Sequence, residues 1–268
     1  MPTPFQHLHY AERVLNHPYL PQQLRDLLYE QIGPFLLGTT AADVQTITGQ
    51  HRVDTHFYTI SEGRNGSAAG EMLAQFPALV DPRTLTPARA AFVTGYIVHL
   101  AWDELWAWDI FVPYYLEGTH WPDRRSFFIH HNALRVWLDR VAFSHLPDRP
   151  ELALRLRSTV PSGWLPFAPD AALVEWRDWL AQQLDGSAGV QTAEVFADRM
   201  RVPVANLEAI VAEIISGSYR TVPDIDGAVG AYERAALTES IRGASRYWGL
   251  DHNLDRVAAT EGVVVARG

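Results

Sequence analysis

Positions four apart on a helix stand one above the other, so His99-Leu100-Ala101-Trp102-Asp103 sets an imidazole and a carboxylate on one face. The run around them is apolar, and Phe92, Gly95 and Trp106 share that side. A carboxylate in such surroundings must find a partner or take up a proton at substantial cost. A cation held between the two groups satisfies both. A His–Asp hydrogen bond that ties helices together does so too, and the motif alone leaves both readings open.

Other nitrogen and oxygen donors lie upstream and downstream. The polar, turn-rich stretch 38–65 reads as a long ordered loop, a kind of segment that is more often functional than accidental. It carries Asp43, His51, Asp54 and His56. Asp43 and His56 repeat the carboxylate–imidazole pair, whereas His51 and Asp54 read as surface. Alternation over Thr55-His56-Phe57-Tyr58 predicts an extended segment there. Near the N-terminus, His7 falls on the helical side of Ala11 and Val14, while His9 projects with Glu12, so phase turns His7 inward. After Asp123, His130 falls with Phe127, Leu134, Trp137 and Val141. His131 lies at the edge of that stripe, nearer Arg135. Phase therefore expects His130 to be the buried one, and an ordinary core histidine is the plain alternative. Trp102, Trp106, Trp108, Trp121 and Trp137 read as core and pocket wall.

Composition removes competing chemistries. All 22 basic residues are arginine. A phosphate-loop lysine, a Schiff-base lysine and a lysine general base are therefore excluded. Cysteine is also absent, which excludes thiolate nucleophiles, disulfides and sulfur-ligated zinc. A metal here must use the 11 histidines and 31 acidic residues. Net charge of −9 argues against nucleic acid as a partner, since no basic field exists to displace counterions. The apolar-rich stretch 90–116 is broken by Asp103, Glu104 and Asp109, so no stable membrane insertion is expected. The first residues have neither a basic nor an apolar signal region, and cytoplasmic residence is the expectation.

The elements that must position these groups are helices. Apolar stripes at helical spacing predict a mainly α chain forming a single-domain multi-helix bundle. Helices are expected over 20–32, 67–76, 88–111 (continuing, kinked by Pro113, to Leu116), 123–145, 151–158, 170–184, 193–200, 203–216 and 224–248. Residues 1–157 form the expected metal-binding core. Residues 158–268 form a C-terminal helical extension packed on the same body, with the Pro- and Gly-rich tract 158–169 either a linker or a covering loop. The Val run at 262–268 reads as a strand or a frayed end.

His7-Leu8, Asp43, His56-Phe57-Tyr58 and His99-x-x-x-Asp103, in this order, resemble the zinc-dependent phospholipase C family. The resemblance covers roughly the first 140 residues. It implies a mainly helical domain that gathers several zinc ions in one cleft, with Asp103 bridging two of them. The sequence departs from that pattern at three places. Met1 stands where secreted members offer an N-terminal tryptophan amine, Asp109 stands at an expected histidine, and His131-x-x-x-Arg135 replaces an expected HxxxE. Alignment thus selects His131 where helical phase selects His130.

The resemblance implies a metal-dependent hydrolase acting on a phosphodiester or a phospholipid-like phosphate ester. One to three zinc ions would be held by His7, Asp43, His56, His99, Asp103 and His130 or His131. Iron, manganese or cobalt suit the same donor types. Asp43 or Asp103 would accept a proton from the attacking water, and Arg135 would clamp the phosphate. The expected partner is a phosphate-containing small molecule or lipid headgroup. Two alternatives are a degenerate homologue serving as a binding or scaffold protein, and a helical nucleotide phosphohydrolase. The absence of a His-Asp dipeptide, histidine first, weighs against the latter.

Overall fold

Prolines and capping side chains divide the chain into helices. In the computed structural model, which describes residues 1–250 other than Asn65, Thr119, His120 and Arg220, these are α1 (Pro4–Leu15), α2 (Gln22–Glu30), α3 (Ile32–Gly38), α4 (Gln45–Thr48), α5 (Val53–His56), α6 (Ala68–Gln75) and α7 (Pro87–Trp106). They continue with α8 (Arg124–His145), α9 (Arg149–Arg157), α10 (Asp170–Leu184), α11 (Thr192–Met200), α12 (Val204–Ile215) and α13 (Ile225–Tyr247). No strand occurs among the described residues. The Val run at 262–268 lies outside them.

Helix α7 is the axis. Pro87 sits in its first turn and Thr86 Oγ1 accepts the Arg89 N–H at 3.3 Å, so its start is set locally. From Ala90 to Trp106 every residue except Ala101 is buried, and a helix apolar on all sides must run through the core. α3 packs on one part of it and α13 on another, with α1 crossing from α8 and α13. Beyond Trp106 the helix widens into a π-helical segment, Ala107–Leu116, that contains Pro113. Its i→i−5 bonding is seen where the Glu117 N–H reaches the Val112 carbonyl at 2.9 Å.

The α3–α7 crossing depends on two glycines. A Cβ on Gly95 would lie 2.3 Å from the Phe35 carbonyl oxygen, and one on Gly38 would lie 2.0 Å from that of Phe92. Only hydrogen fits at either place, so the two backbones touch. That contact brings Thr39, at the end of α3, against the middle of α7.

Two sequence expectations change. The helix expected over 20–32 is divided at Gln31, where the backbone leaves the helical region (φ −109°, ψ 39°) between α2 and α3. The loop expected over 38–65 is largely short helical turns: Ala41–Val44, α4, α5 and Ile60–Glu62. His56 ends α5 instead of lying on an extended segment, and Phe57 takes a left-handed conformation (φ 59°) that stops the helix. The tract 158–169 covers the body and buries Trp164, Leu165 and Ala168 in the main core. That core runs from Phe5 to Ala244 and so draws on both halves of the chain. A smaller cluster joins Ala133 and Val136 of α8 to Phe196, Leu207 and Val211. Among the described residues no helix is long and apolar enough to cross a membrane.

Candidate metal centre

Four elements deliver five donors to one place. α7 supplies His99 and Asp103, α1 supplies His7, the turn before α4 supplies Asp43, and α5 supplies His56. The depth of α1 is fixed by a distant side chain. Asp139 of α8 accepts the N–H groups of Phe5 (3.0 Å) and Gln6 (3.3 Å), satisfying the open start of the helix, and also accepts from Thr192 Oγ1. His7, His56, His99 and Asp103 are all at most 1 % exposed, whereas the Asp43 side chain is 22 % exposed.

Neighbouring donors are spaced as ligands on a shared ion are. His7 Nε2 lies 3.2 Å from Asp103 Oδ1, and His56 Nε2 lies 3.1 Å from Asp103 Oδ2. His99 Nε2 lies 3.4 Å from His56 Nε2 and 3.7 Å from Asp103 Oδ2, and His56 Nε2 lies 3.7 Å from Asp43 Oδ1. Two ligands on a tetrahedral metal with bonds near 2.0–2.1 Å are about 3.4 Å apart. The donors form two groups, His7–His99–Asp103 and Asp43–His56–His99, which share His99.

Hydrogen bonding behind the ligands fixes their tautomers. His99 Nδ1 lies 2.8 Å from the Thr39 carbonyl, and His56 Nδ1 lies 3.2 Å from the Arg52 carbonyl and 2.9 Å from Thr55 Oγ1. A carbonyl only accepts, so each Nδ1 carries the proton and each neutral ring turns a lone pair toward the other at Nε2. Two opposed lone pairs need a cation or a shared proton between them. Both ring nitrogens of His7 and Asp103 Oδ1 are buried without an aligned hydrogen bond, His7 Nε2 lying 3.2 Å from Asp103 Oδ1. Orphaned buried polar atoms of this kind, beside the carbonyl-anchored His99 and His56, fit a divalent metal.

Burial sets the charge states. It pushes His7 down to about 4, reinforced by the neighbouring His99, and pushes His56 down to about 4, reinforced by Arg52. Burial also opposes charge on His99, but Asp103 outweighs it and raises that ring. Asp103 is held well below the usual carboxylate range: burial works against its charge, and His99, Arg52, His56 and His7 together overcome it.

The remaining candidates lie elsewhere. His131, not His130, is the buried member of that pair, at 3 % exposure. The phase expectation fails because Phe111 and Tyr115 of the widened segment, with Trp106 at the end of α7, close over the edge of the α8 stripe. Trp106 Nε1 donates to His131 Nε2 at 2.9 Å, which occupies the lone pair a metal would need. His130 lies 3.2 Å from Tyr219 Oη through Nδ1. Neither joins the donor groups found among the described residues. His51 and Asp54 are exposed. Arg135 bonds the Met1 carbonyl through Nε and Asn132 Oδ1 (2.7 Å) through Nη1, and its guanidinium lies 4.3 Å over the Phe196 ring. Burial lowers it to about 10.

A cleft of about 690 Å³ opens beside the cluster. Asp43 is the one donor that lines it, and Arg135, Trp176, Trp179, Phe196 and Arg199 form much of its wall. Arg135 makes no ion pair among the described residues, so its charge is available to a ligand there. Glu175, Asp178 and Asp198 also line the cleft.

Sequence reading missed Arg52. Its Nη2 binds Asp103 Oδ2 and donates to Tyr58 Oη at 3.1 Å, while Tyr58 Oη donates to the Asp103 carbonyl at 3.0 Å. A signal existed: Arg52 stands one helical turn before His56. No family model, curated protein or solved structure matches this chain.

Proposed function

We propose that the protein is a metal-dependent phosphoesterase. A divalent ion, zinc by donor type, would be held by His7, His56, His99, Asp103 and Asp43. The observation that carries this reading is the set of opposed, buried lone pairs at ligand spacing whose one exposed member lines a cleft shared with an unpaired arginine. An ion in this position supplies Lewis-acid polarisation of a phosphoryl oxygen and a water that ionises near neutral pH. The residues of the chain do the rest. Asp43, exposed to the cleft, accepts the proton of the attacking water. Arg135 binds and orients the phosphate by its free Nη2, and Phe196 beneath it limits its movement. His99 and His56, anchored on the Thr39 and Arg52 carbonyls, hold their orientation through the reaction. The resemblance to zinc-dependent phospholipases C supports the same chemistry, with a phosphodiester or a lipid headgroup as substrate.

Metal content of protein purified without added metal, followed by hydrolysis of chromogenic phosphomonoesters and phosphodiesters before and after chelation, tests this. We expect bound metal and chelator-sensitive hydrolysis. Arg135→Ala should raise KM by about tenfold or more while metal content holds. Protein that takes up no metal, or hydrolysis indifferent to chelation, would refute the reading. A second reading, a binding protein with a retired centre, is favoured by one observation: Arg52 already supplies a positive charge to Asp103. Metal uptake without turnover on any phosphate ester would favour it.

A further inference from the structure

Arg52 stands where a metal's charge would act. Its guanidinium meets Asp103 Oδ2, the same oxygen that faces His56 Nε2 and His99 Nε2. It is the one arginine within ion-pair distance of the cluster among the described residues. Its placement is coupled to the ligands: the His56 N–H bonds the Arg52 carbonyl at 2.9 Å, so the turn that presents the imidazole also presents the guanidinium. The Arg52 side chain is 31 % exposed, unlike the buried donors it touches, and its guanidinium lies 5.3 Å from the Tyr58 ring centroid. Its Nη1 is buried without a hydrogen-bond partner, so the charge is held at the cluster while other parts of the side chain reach solvent.

Charge decides what this arrangement does. Asp43, Asp103 and Arg52 leave the cluster one negative charge when the histidines are neutral. A divalent ion would convert that to one positive charge, whereas without Arg52 the loaded cluster would be neutral. Two cations a few ångströms apart at a poorly solvated site repel strongly. The same surplus charge attracts an anion arriving from the cleft.

We propose that Arg52 is the resident counter-cation of the centre: it neutralises Asp103 in the metal-free protein, weakens the hold on a divalent ion, and leaves the loaded centre the positive charge that binds phosphate. This inference rests on the metal reading above. It requires metal affinity and anion affinity to move in opposite directions when Arg52 is lost. A purely structural arginine would weaken both together.

The test measures zinc affinity by competition with a chromophoric chelator, and inorganic phosphate binding to the zinc-loaded protein by calorimetry. The proteins are wild type, Arg52→Met, Arg52→Gln and Arg52→Lys, with thermal unfolding as the check on folding. Gln keeps hydrogen bonding to Tyr58 and Asp103 while removing the charge, so it serves if Met disturbs the fold. We expect Arg52→Met and Arg52→Gln to bind zinc about tenfold tighter or better and phosphate about tenfold weaker. Arg52→Lys should stay near wild type in both. Wild type that takes up no zinc while Arg52→Gln does overturns the proposal together with the metal reading, since no loaded wild-type centre would then exist to bind phosphate. Zinc affinity unchanged or reduced in the neutral variants overturns the proposal, as does tighter zinc with undiminished phosphate binding. Wild type binding zinc in those cases leaves the metal reading standing. No zinc uptake by any of the four proteins overturns both.

Discussion

At the scale of single residues, what separates a ligand from a core histidine here is what its second nitrogen touches. His99 and His56 are anchored by carbonyls through Nδ1, which frees Nε2, whereas His131 spends Nε2 on the Trp106 indole. The two classes should respond differently to substitution. His99→Ala should abolish metal uptake, because His99 belongs to both donor groups. His131→Leu should leave metal content unchanged and lower stability by about 1–3 kcal/mol, since it strands the buried Trp106 N–H. Metal analysis and denaturant titration of the two variants check this. Metal loss in His131→Leu at undiminished stability would contradict it.

At the scale of elements, the centre depends on the contact between α3 and α7. The carbonyl that orients His99 belongs to Thr39, and it reaches the ring only because Gly38 and Gly95 let the two backbones touch. Gly95→Ala places a methyl group 2.3 Å from a backbone oxygen that cannot move independently of α3. The helices must separate, so stability should fall by about 2–4 kcal/mol despite the better helix propensity of alanine, and metal affinity should fall with it. Gly189→Ala, where an added methyl meets nothing within 4 Å, is the control and should be neutral within about 0.5 kcal/mol. Equal stability of the two variants in thermal or denaturant unfolding would refute this account of the crossing.

At the scale of the whole molecule, burying so many titratable groups in one core couples folding to pH. His7 and His56 titrate near 4 in the fold because of burial, against an ordinary 6.5 in the unfolded chain. Between pH 6.5 and about 4 the unfolded chain gains protons that these folded rings refuse, so the metal-free protein loses stability as pH falls through that window. Each such group contributes a slope of up to about 1.4 kcal/mol per pH unit. His131, held low by burial, acts in the same direction. His99, raised by Asp103, opposes them, and its contribution is lost only as pH rises through its folded value. Asp103 adds a further loss at more acid pH, below the ordinary carboxylate range. Denaturation midpoints of chelator-treated protein from pH 7 to pH 4 should therefore decline steadily. A midpoint that is flat or rises toward pH 4 would show that the histidines are not held neutral in the core.

The sequence by itself determined the mainly helical class, because stripes at a 3.6-residue period and proline or aspartate starts are local signals. The i, i+4 geometry that sets His99 over Asp103 is equally local, as is the inward phase of His7. Tertiary structure decided what depends on neighbours distant in sequence. The exchange of His130 for His131 follows from the π-helical segment closing over α8, and no periodicity within α8 encodes that. Arg52 reads in sequence as an ordinary polar loop residue, and only the folding of α5 onto α7 brings it to Asp103, 51 positions away. The close approach of Gly38 to the Phe92 backbone is likewise a contact between segments distant in sequence, which no local pattern encodes. Local pattern thus fixed which side chains could serve as ligands, and packing fixed which of them meet and which charge already waits beside them.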